Sequence, residues 1–278
     1  MPSLRLFFGF ASPPAVDSLI VTPSRTSGVA PLAVFFDTVG TTSEDSSFPF
    51  ADLEYIWNFG DPSSGNWGDK ATGGTGSGAY PSRNTFHGGF AAHVYETPGT
   101  YTASISAYYG TKLVGSYSTV ITVTDPNTVF ALTDTIAVNV NGDADFSAAP
   151  AGCTQYNTPA GDLLKDALAQ IAGTKKRLLF KRGSTWNAAP ATTLPRITVT
   201  GPGVIAAYGS GAAPIFLQTD NSSSGILEFS NSVTDWRVHD VKIDGGSQTA
   251  SVAFQPYSAV SKLTFVNVTV ANTQWGWN

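Results

Sequence analysis

Apolar and polar side chains alternate along much of the first part of the chain. In the stretch TYTASISAYY, Ala103, Ile105 and Ala107 fall on one side of an extended chain, whereas Thr102 and Ser104 fall on the other. Because successive side chains of a β-strand point to opposite faces, this pattern predicts a strand with one buried face. Five such stretches follow one another between turns: SLIVTP, PLAVFFDT, LEYIWNF, TYTASISAYY and GSYSTVITVT. Half-buried antiparallel strands over about 100 residues predict a β-sandwich.

The strand YIWNF carries three aromatic rings at alternate positions, Tyr55, Trp57 and Phe59. We therefore expect these rings to share one face and to lie in the core of the sandwich. Gly60 and Asp61 follow directly, which is the composition of a tight turn. We expect Asp61 to be a turn residue whose carboxylate accepts hydrogen bonds from nearby backbone N–H groups.

We interpret residues 126–134 as a linker. After the linker, the pattern of apolar residues predicts one amphipathic helix followed by many short strands. The segment AGDLLKDALAQIAG has apolar residues at helical spacing, which predicts a helix over 162–172 with one buried face. The apolar residues of that face are Leu163, Leu164, Ala167, Leu168 and Ile171. Asp162 is placed to cap the start of the helix and Gly173 to end it.

The last strands repeat at an interval of 27 residues. Aligning VTDWRVHDVKI with VSKLTFVNVTV keeps an apolar residue at every apolar position. The matched pairs are Val233 with Val260, Trp236 with Leu263, Val238 with Phe265, Val241 with Val268 and Ile243 with Val270. A strand-rich repeat of this length is typical of a solenoid, in which each coil buries its inward face against its neighbours. The alignment also pairs Asp240 with Asn267, which predicts stacked turn positions.

Three motifs of the first part resemble a known family. SGVAPLAVFFDT, YIWNFGD and HVYETPGTYTASISA occur in this order. Together they resemble the polycystic-kidney-disease (PKD) type immunoglobulin-like domain, with its proline-led strand, W-x-F-G-D strand end and H-x-Y-x-x-P-G-x-Y segment. The resemblance covers residues 17–125 and implies an Ig-like β-sandwich. The chain departs from the family at 62–92, where a long Gly-rich insertion replaces a short connection.

The second part, residues 135–278, resembles the right-handed parallel β-helix of pectate-lyase-like proteins. The segments that carry this resemblance are KRLLFKRGSTW, RITVTGPGVIAAYGSGAAPIF and VTDWRVHDVKIDGG. The resemblance implies an all-β fold whose first coil is capped by the predicted helix. The final residues, ANTQWGWN, contain no polar closing element. We therefore expect 135–278 to be the N-terminal part of a longer β-helix, or to end in a face that docks on another subunit.

The composition narrows the classes of function. Charged residues make up 13% of the chain, below the ~25% of an average globular protein, and the formal net charge is −5. The 15 Lys and Arg residues form no basic stripe, which argues against nucleic acid as a partner. No apolar run approaches the ~20 residues of a membrane-spanning helix. Cys153 is the single cysteine, so we expect a half-buried thiol and no intrachain disulfide.

Aromatic side chains in Gly-rich or terminal segments are the candidates for carbohydrate binding. They are Trp67, Tyr80 and Phe86 in the insertion, and Trp275 and Trp277 near the C-terminal end. Aromatic rings supply large, flat apolar faces on which sugar rings stack. The alternatives are that the rings of the insertion pack back on the sandwich or contact another chain, and that the two terminal tryptophans lie in a coil core.

The sequence predicts neither a metal site nor a cofactor. A calcium role for Asp61 and Asp69 is weak, because no dense set of carboxylates accompanies them. His87 and His93 lie close in sequence, but they are too few ligands for a transition metal.

Cleavage of a polysaccharide would need grouped carboxylates. The candidates are Asp220, Glu228, Asp235, Asp240 and Asp244, with Arg237, His239 and Lys242 as basic neighbours. We expect Asp244, which precedes two glycines, in a turn and His239 at the surface. Arg237 and Asp235 are expected to form an exposed ion pair of little energetic weight. No lyase motif is present, so the sequence identifies no catalytic residue.

Together these features favour a phage virion spike or fibre, similar to tailspike-type proteins and located at the virion surface, outside the cell. Residues 1–16 are an N-terminal anchoring segment, in which Leu6, Phe7, Phe8 and Phe10 are expected to dock on another virion protein. The β-helix is expected to face host surface polysaccharide, and three chains to associate. The alternatives are an exported bacterial polysaccharide lyase or hydrolase with a PKD spacer, and a non-catalytic virion decoration or adhesin.

Overall fold

The computed structural model describes residues 16–67, 81–189, 196–221, 225–230, 232–248, 251–257 and 259–277. Strands contain 47% of the residues and helices are few, so the architecture is all-β. None of the described helices is long and apolar enough to cross a membrane. The chain divides into two compact units. The first comprises Met1–Ser27, Val34–Tyr95 and Thr100–Thr122, and the second comprises Gly28–Ala33, Glu96–Gly99 and Val123–Asn278.

In the described residues up to 124, the chain forms two sheets and one short helix. The elements are β1 (Thr22–Pro23), β2 (Ser27–Val29), β3 (Leu32–Asp37), α1 (Pro49–Asp52), β4 (Glu54–Asn58), a 3₁₀ turn (Pro62–Ser64), β5 (Thr85–His87), β6 (Phe90–Tyr95), β7 (Gly99–Tyr109) and β8 (Lys112–Thr124). One sheet has the strand order β1-β3-β6 and the other β2-β8-β7-β4-β5. Strand β4 pairs antiparallel with both β5 and β7, and β1 pairs antiparallel with β3.

Aromatic rings fill the space between the two sheets of the first unit. Tyr55, Trp57 and Phe59 alternate along β4 and the residue that follows it, and each is about 1% exposed, which confirms the predicted buried face. The ring of Trp57 lies 5.0 Å from that of Phe36 on β3 of the opposite sheet. Its indole Nε1 donates a hydrogen bond of 2.8 Å to the carbonyl of Gly88, so the one polar atom of this buried ring is satisfied.

Where the structure describes the second unit, it contains short strands and two short helices. Its elements after residue 124 are α2 (Pro126–Val129), a 3₁₀ turn (Leu132–Asp134), β9 (Thr135–Asn139), β10 (Thr154–Asn157), α3 (Leu164–Leu168), β11 (Arg177–Lys181), β12 (Thr185–Asn187), β13 (Gly203–Tyr208), β14 (Ile215–Leu217), β15 (Gly225–Phe229), β16 (Trp236–His239), β17 (Lys242–Asp244), β18 (Val252–Pro256), β19 (Thr264–Val266), β20 (Thr269–Ala271) and β21 (Trp275–Trp277).

These strands form three parallel sheets. The strand orders are β10-β9-β11-β13-β16-β19, β12-β14-β17-β20 and β15-β18-β21. One buried cluster takes side chains from all three sheets, including Phe180 of β11, Phe216 of β14 and Leu227 of β15. The ring of Phe180 lies 4.8 Å from those of Trp186 and Phe216. The inward side chains of each sheet are therefore shielded by the other two sheets.

The predicted 27-residue register is confirmed in the strand pairing. Val238 of β16 is the Cα partner of Phe265 in β19, and Ile243 of β17 is the partner of Val270 in β20. In the third sheet Leu227 of β15 pairs with Phe254 of β18 at the same interval. The chain thus advances by one parallel strand in each sheet over the 27 residues that separate β15, β16 and β17 from β18, β19 and β20.

Left-handed backbone conformations recur at the same interval. Asp240 and Asn267 have φ of 59° and 51°, and the amide Nδ2 of Asn267 donates to Oδ1 of Asp240 at 3.0 Å. Asp235 and Lys262 form a second such pair, with φ of 66° and 55°. Aspartate and asparagine tolerate this conformation because their short side chains bond locally. The prediction that Asp240 and Asn267 stack at a turn is confirmed.

The helix of the second unit is shorter than predicted. It spans Leu164–Leu168, and the following turn has i→i−3 bonds, such as that from the Gln170 N–H to the Ala167 carbonyl. Asp162 is not the cap: it has φ of 47°, and its carboxylate accepts bonds from the Asn141 N–H and the Thr158 hydroxyl.

Gly173 does not end this helix either, since it lies with φ of 59° in a turn closed by bonds between Ala172 and Lys175. The predicted apolar face is retained in its centre. Leu164, Ala167 and Leu168 are buried in the core cluster of the three sheets. The apolar pattern therefore located the buried face but overestimated the length of regular helix.

Candidate functional site

Polar side chains from three consecutive windings lie side by side on the outer face of the third sheet. Ile197 pairs with β15, since its N–H donates to the Glu228 carbonyl at 2.8 Å, and Glu228 is the Cα partner of Gln255 in β18. Glu228 lies between the core residues Leu227 and Phe229, and its carboxylate pairs with the solvent-exposed side chain of Arg196. We call Arg196, Glu228, Gln255 and Tyr257 the polar ladder.

An arginine joins the members of the polar ladder. Nε of Arg196 lies 3.0 Å from Oε2 of Glu228, and its guanidinium carbon lies 3.8 Å from the centroid of the Tyr257 ring. The arginine thereby spans from the winding before Glu228 to the one after it. A guanidinium that lies over an aromatic ring has one flat face covered, while its N–H donors, which lie in its own plane, stay available for hydrogen bonds.

Glu228 is held in place by backbone as well as by the arginine. Its Oε1 accepts the Gly225 N–H at 3.0 Å, and Oε1 of Gln255 accepts the same N–H at 2.9 Å. The carboxylate side chain is 5% exposed, whereas that of Arg196 is 48% exposed. The hydrogen bond to Glu228 raises the pKa of the Arg196 guanidinium, so this cation is permanently charged. In the polar ladder, the charged guanidinium of Arg196 and the Tyr257 ring beneath it are therefore accessible to solvent, whereas the Glu228 carboxylate that accepts from Arg196 is buried and fixed.

This arrangement is suited to binding polyhydroxylated ligands. Sugar hydroxyls both donate and accept hydrogen bonds, and the ladder contains guanidinium, carboxylate, amide and phenol groups. The described partners of the Glu228 carboxylate are an arginine, a backbone amide and, at 3.4 Å, the Tyr257 hydroxyl.

The predicted sugar-binding aromatics lie in different units. Trp67 and Phe86 belong to the first unit and are 57% and 42% exposed. Trp67 has the Arg83 guanidinium 5.7 Å from its ring centroid. Tyr80 lies outside the described residues. Trp275 and Trp277 are in β21, at the register of Val252 and Phe254, and their side chains are outside what the structure describes.

The predicted docking residues Leu6, Phe7, Phe8 and Phe10 also lie outside the described residues, and so does Asp69. Their roles stay predictions.

Asp61 is not the backbone-bonded turn residue that its position predicts. Its Oδ2 lies 3.0 Å from Nε2 of His93, and its Oδ1 accepts the Ser63 hydroxyl at 2.7 Å. Both partners of this side-chain contact are buried, at 3% and 5% exposure. Burial lowers the pKa of His93, and the hydrogen bond to Asp61 opposes this shift. The imidazole also stacks on the Phe59 ring at 4.6 Å, so the pair is part of the core packing.

An acidic cluster that the sequence did not indicate is occupied by a lysine. The carboxylates of Asp17, Glu44 and Asp45 converge within 4.8 Å of one another. The Lys112 ammonium lies 2.9 Å from Asp17 and 2.7 Å from Asp45, and it also bonds Glu44. The lysine thus takes the position that a cation would need, and the cluster is an ion-pair network.

Arg237 differs from its prediction as an exposed ion pair. The residue is fully buried, and its Nη2 lies 3.0 Å from Oδ1 of Asp235. Its Nε donates to the carbonyl of Val29 at 2.9 Å, and its Nη1 donates to the carbonyl of Asp235 at 2.9 Å. The strand alternation correctly turned Arg237 away from the core, but segment Gly28–Ala33 of the same unit covers this outer face.

The remaining candidates have local structural partners. Nδ1 of His239 lies 2.8 Å from Oδ2 of Asp240, and this bond, with that from Asn267, lowers the pKa of Asp240 to about 2. Asp244 ends β17, and its carboxylate accepts the Gly246 N–H at 2.9 Å, which agrees with the predicted turn role. The bond from Lys242 is the main cause that lowers the pKa of Asp244, to about 2.

Arg196 and Tyr257 were missed by the sequence analysis. The 27-residue interval places Gln255 beside Glu228, but Arg196 precedes Glu228 by 32 residues because this winding is longer. An alignment that assumes 27 residues in every winding therefore does not place Arg196 beside Glu228.

No family model matches the chain, and no curated protein matches it either. The functional assignment therefore depends on the geometry described above.

Proposed function

We propose that this chain is a phage virion spike or fibre protein whose second unit contacts polysaccharide on the host surface. In this proposal the first unit is a PKD-like Ig-type β-sandwich, and the second is a right-handed parallel β-helix capped by α3. The N-terminal part attaches the protein to the particle, and three chains associate.

One observation carries the proposal: polar side chains stack on the outer face of parallel windings. The Arg196 guanidinium covers the Tyr257 ring at 3.8 Å and pairs with Glu228, so three windings contribute to one surface. A polysaccharide is itself a repeating polyhydroxylated chain, and a repeating parallel sheet presents donors and acceptors along one line to match it. The low charge content and the absence of a basic stripe also fit a sugar rather than a nucleic acid.

Binding of the full chain to bacterial surface polysaccharides tests the proposal. The chain would be immobilised and exposed to a panel of neutral and acidic capsular and lipopolysaccharide glycans, with binding followed by biolayer interferometry. Tyr257→Ala is expected to weaken binding about tenfold, as the loss of one stacked ring implies, and Tyr257→Phe to retain most of it.

Trp67→Ala is the matched control in the first unit, because it removes an exposed ring outside the ladder. Loss of binding in Trp67→Ala with none in Tyr257→Ala would place the sugar site elsewhere. No binding to any glycan would contradict the proposal. Incubation of the bound glycans followed by reducing-end analysis separates a binding protein from the alternative of a lyase or hydrolase.

A further inference from the structure

The first unit exposes an apolar groove on the outer face of its three-stranded sheet. Phe35 of β3 is 65% exposed and Phe90 of β6 is 58% exposed, and both line a groove of about 500 Å³. The groove is also lined by Thr22, Ser24, Phe36 and Asp37. Phe50 extends the apolar surface, since its ring lies 4.8 Å from that of Phe90.

Strand alternation explains why these rings are outside. The core face of β3 consists of Leu32, Val34 and Phe36, each at most 1% exposed. Phe35 and Asp37 occupy the alternate positions of the same strand and therefore face outward. Large exposed aromatic patches on a folded domain mark surfaces that are covered by another group. The groove contains one charged side chain, Asp37.

The chain itself supplies a segment of matching chemistry. Residues 1–15, which lie outside the described residues, contain five large apolar side chains within seven positions: Leu4, Leu6, Phe7, Phe8 and Phe10. Arg5 is the single charged side chain of that segment. One cation on the segment and one anion in the groove are complementary in charge.

The segment is also long enough to reach the groove. Thr22 lines the groove and is the Cα partner of Asp37, and it lies only six positions after Val16, whose carbonyl accepts the Thr42 hydroxyl. Six extended residues span at most ~20 Å, whereas the eight to twelve residues from Val16 back to Phe8 and Leu4 span up to ~28–40 Å. A tether this short gives an effective concentration in the ~mM range, far above that of a separate chain in dilute solution.

We propose that residues 1–15 pack into this groove of their own chain, with Leu4–Phe10 against Phe35 and Phe90 and with Arg5 beside Asp37. The free protein thereby covers both its apolar segment and its apolar groove. This arrangement is independent of polysaccharide binding, and it competes with the docking of the same segment on another protein.

Photo-crosslinking of the full chain tests the proposal. The photoreactive residue benzoylphenylalanine would replace Phe35, an exposed position whose substitution leaves the core intact, in a mixture of ¹⁵N-labelled and unlabelled protein. The expected product joins position 35 to a peptide from residues 1–15 of the same isotopic label. The same residue at Val120, which is 53% exposed on β8 of the other sheet, is the matched control and should not capture this peptide.

Products that join peptides of mixed label would show that a second copy fills the groove, and absence of any product with residues 1–15 would show that the segment lies elsewhere. Either result overturns the proposal. Arg5→Asp and Asp37→Arg should each reduce the yield about twofold, and the double variant should restore it, as expected for an exposed ion pair.

Discussion

The bond between Asn267 and Asp240 provides a quantitative test of the stacked windings. Both residues have left-handed backbone conformations, and the Asn267 amide donates to the Asp240 carboxylate across 27 residues of sequence. Alanine at either position loses this bond, worth about 1 kcal/mol for a partly exposed pair, and also loses the polar side chain that tolerates the left-handed conformation, which costs a further ~1 kcal/mol. Asn267→Ala should therefore lose about 2 kcal/mol, and Asp240→Ala should lose more because it also removes the bond between Asp240 and His239.

A double-mutant cycle isolates the bond from the backbone strain. Strain is local to each residue and adds, whereas the shared bond can be lost only once. The double variant should therefore lose about 1 kcal/mol less than the sum of the two single variants, which is a coupling of about 1 kcal/mol. The assay is native-state hydrogen exchange by mass spectrometry on peptides that cover β16 and β17, where the Asp240 N–H donates to the Val266 carbonyl.

The matched control pairs Asn267→Ala with Asp244→Ala. Asp244 bonds Asn272 rather than Asn267, so these two substitutions should be additive within about 0.5 kcal/mol. A coupling between Asp240 and Asn267 no larger than that of the control pair would refute the inference that adjacent windings are joined at these turns.

Three further predictions concern buried or paired charges. Acidification below pH 6.5 should destabilise the first unit, because the lowered pKa of buried His93 means that the unfolded chain binds a proton more readily than the folded chain. The melting temperature measured against pH should fall in this range for the native protein but not for His93→Gln. The same fall in both proteins would contradict the prediction. Arg237→Ala should lower the free energy of unfolding in urea by about 3–5 kcal/mol, because it leaves buried carbonyls and Asp235 without their donor. The control variant Lys175→Ala, at an exposed position, should change this free energy by less than about 0.5 kcal/mol. Equal losses in the two variants would be inconsistent with burial of the arginine. Asp244 should contribute its full stabilisation above its unfolded pKa of ~3.9 and lose it as the pH falls through about 2. Acid unfolding of Asp244→Asn should lack this pH-dependent loss. Acid transitions that are identical in the native protein and the variant would count against the Lys242 bond.

The sequence predicted the features that depend on periodicity. Alternation placed Trp57 and its neighbours in the core, and the 27-residue interval placed Val238 beside Phe265, because both arrangements follow from which side chains must be buried. Asp240 and Asn267 were also predictable, since the same interval aligns them and both residue types favour turns.

Features that depend on what covers a surface were not predictable. Arg237 points away from the core as its position implies, but only the fold shows that Gly28–Ala33, about 200 residues earlier, buries it. The Asp61–His93 pair and the Arg196–Tyr257 stack likewise join residues far apart in sequence, with no local pattern to mark them. The helix was overestimated because an apolar periodicity persists through a turn with 3₁₀ bonds.

Cysteine crosslinking gives the most direct test that the second unit consists of parallel windings in a 27-residue register. Lys242 and Thr269 are Cα partners on adjacent strands, and in a Cys153→Ser background the pair Lys242→Cys with Thr269→Cys should form a disulfide on mild oxidation. The control pair Lys242→Cys with Ala271→Cys is shifted by two residues, to a Cα separation of about 8 Å, which is too far for a disulfide. Rapid crosslinking of the first pair alone, seen by mass spectrometry, is the predicted result. Equal or faster crosslinking of the shifted pair would contradict the register and, with it, the surface on which the proposed polysaccharide site is built.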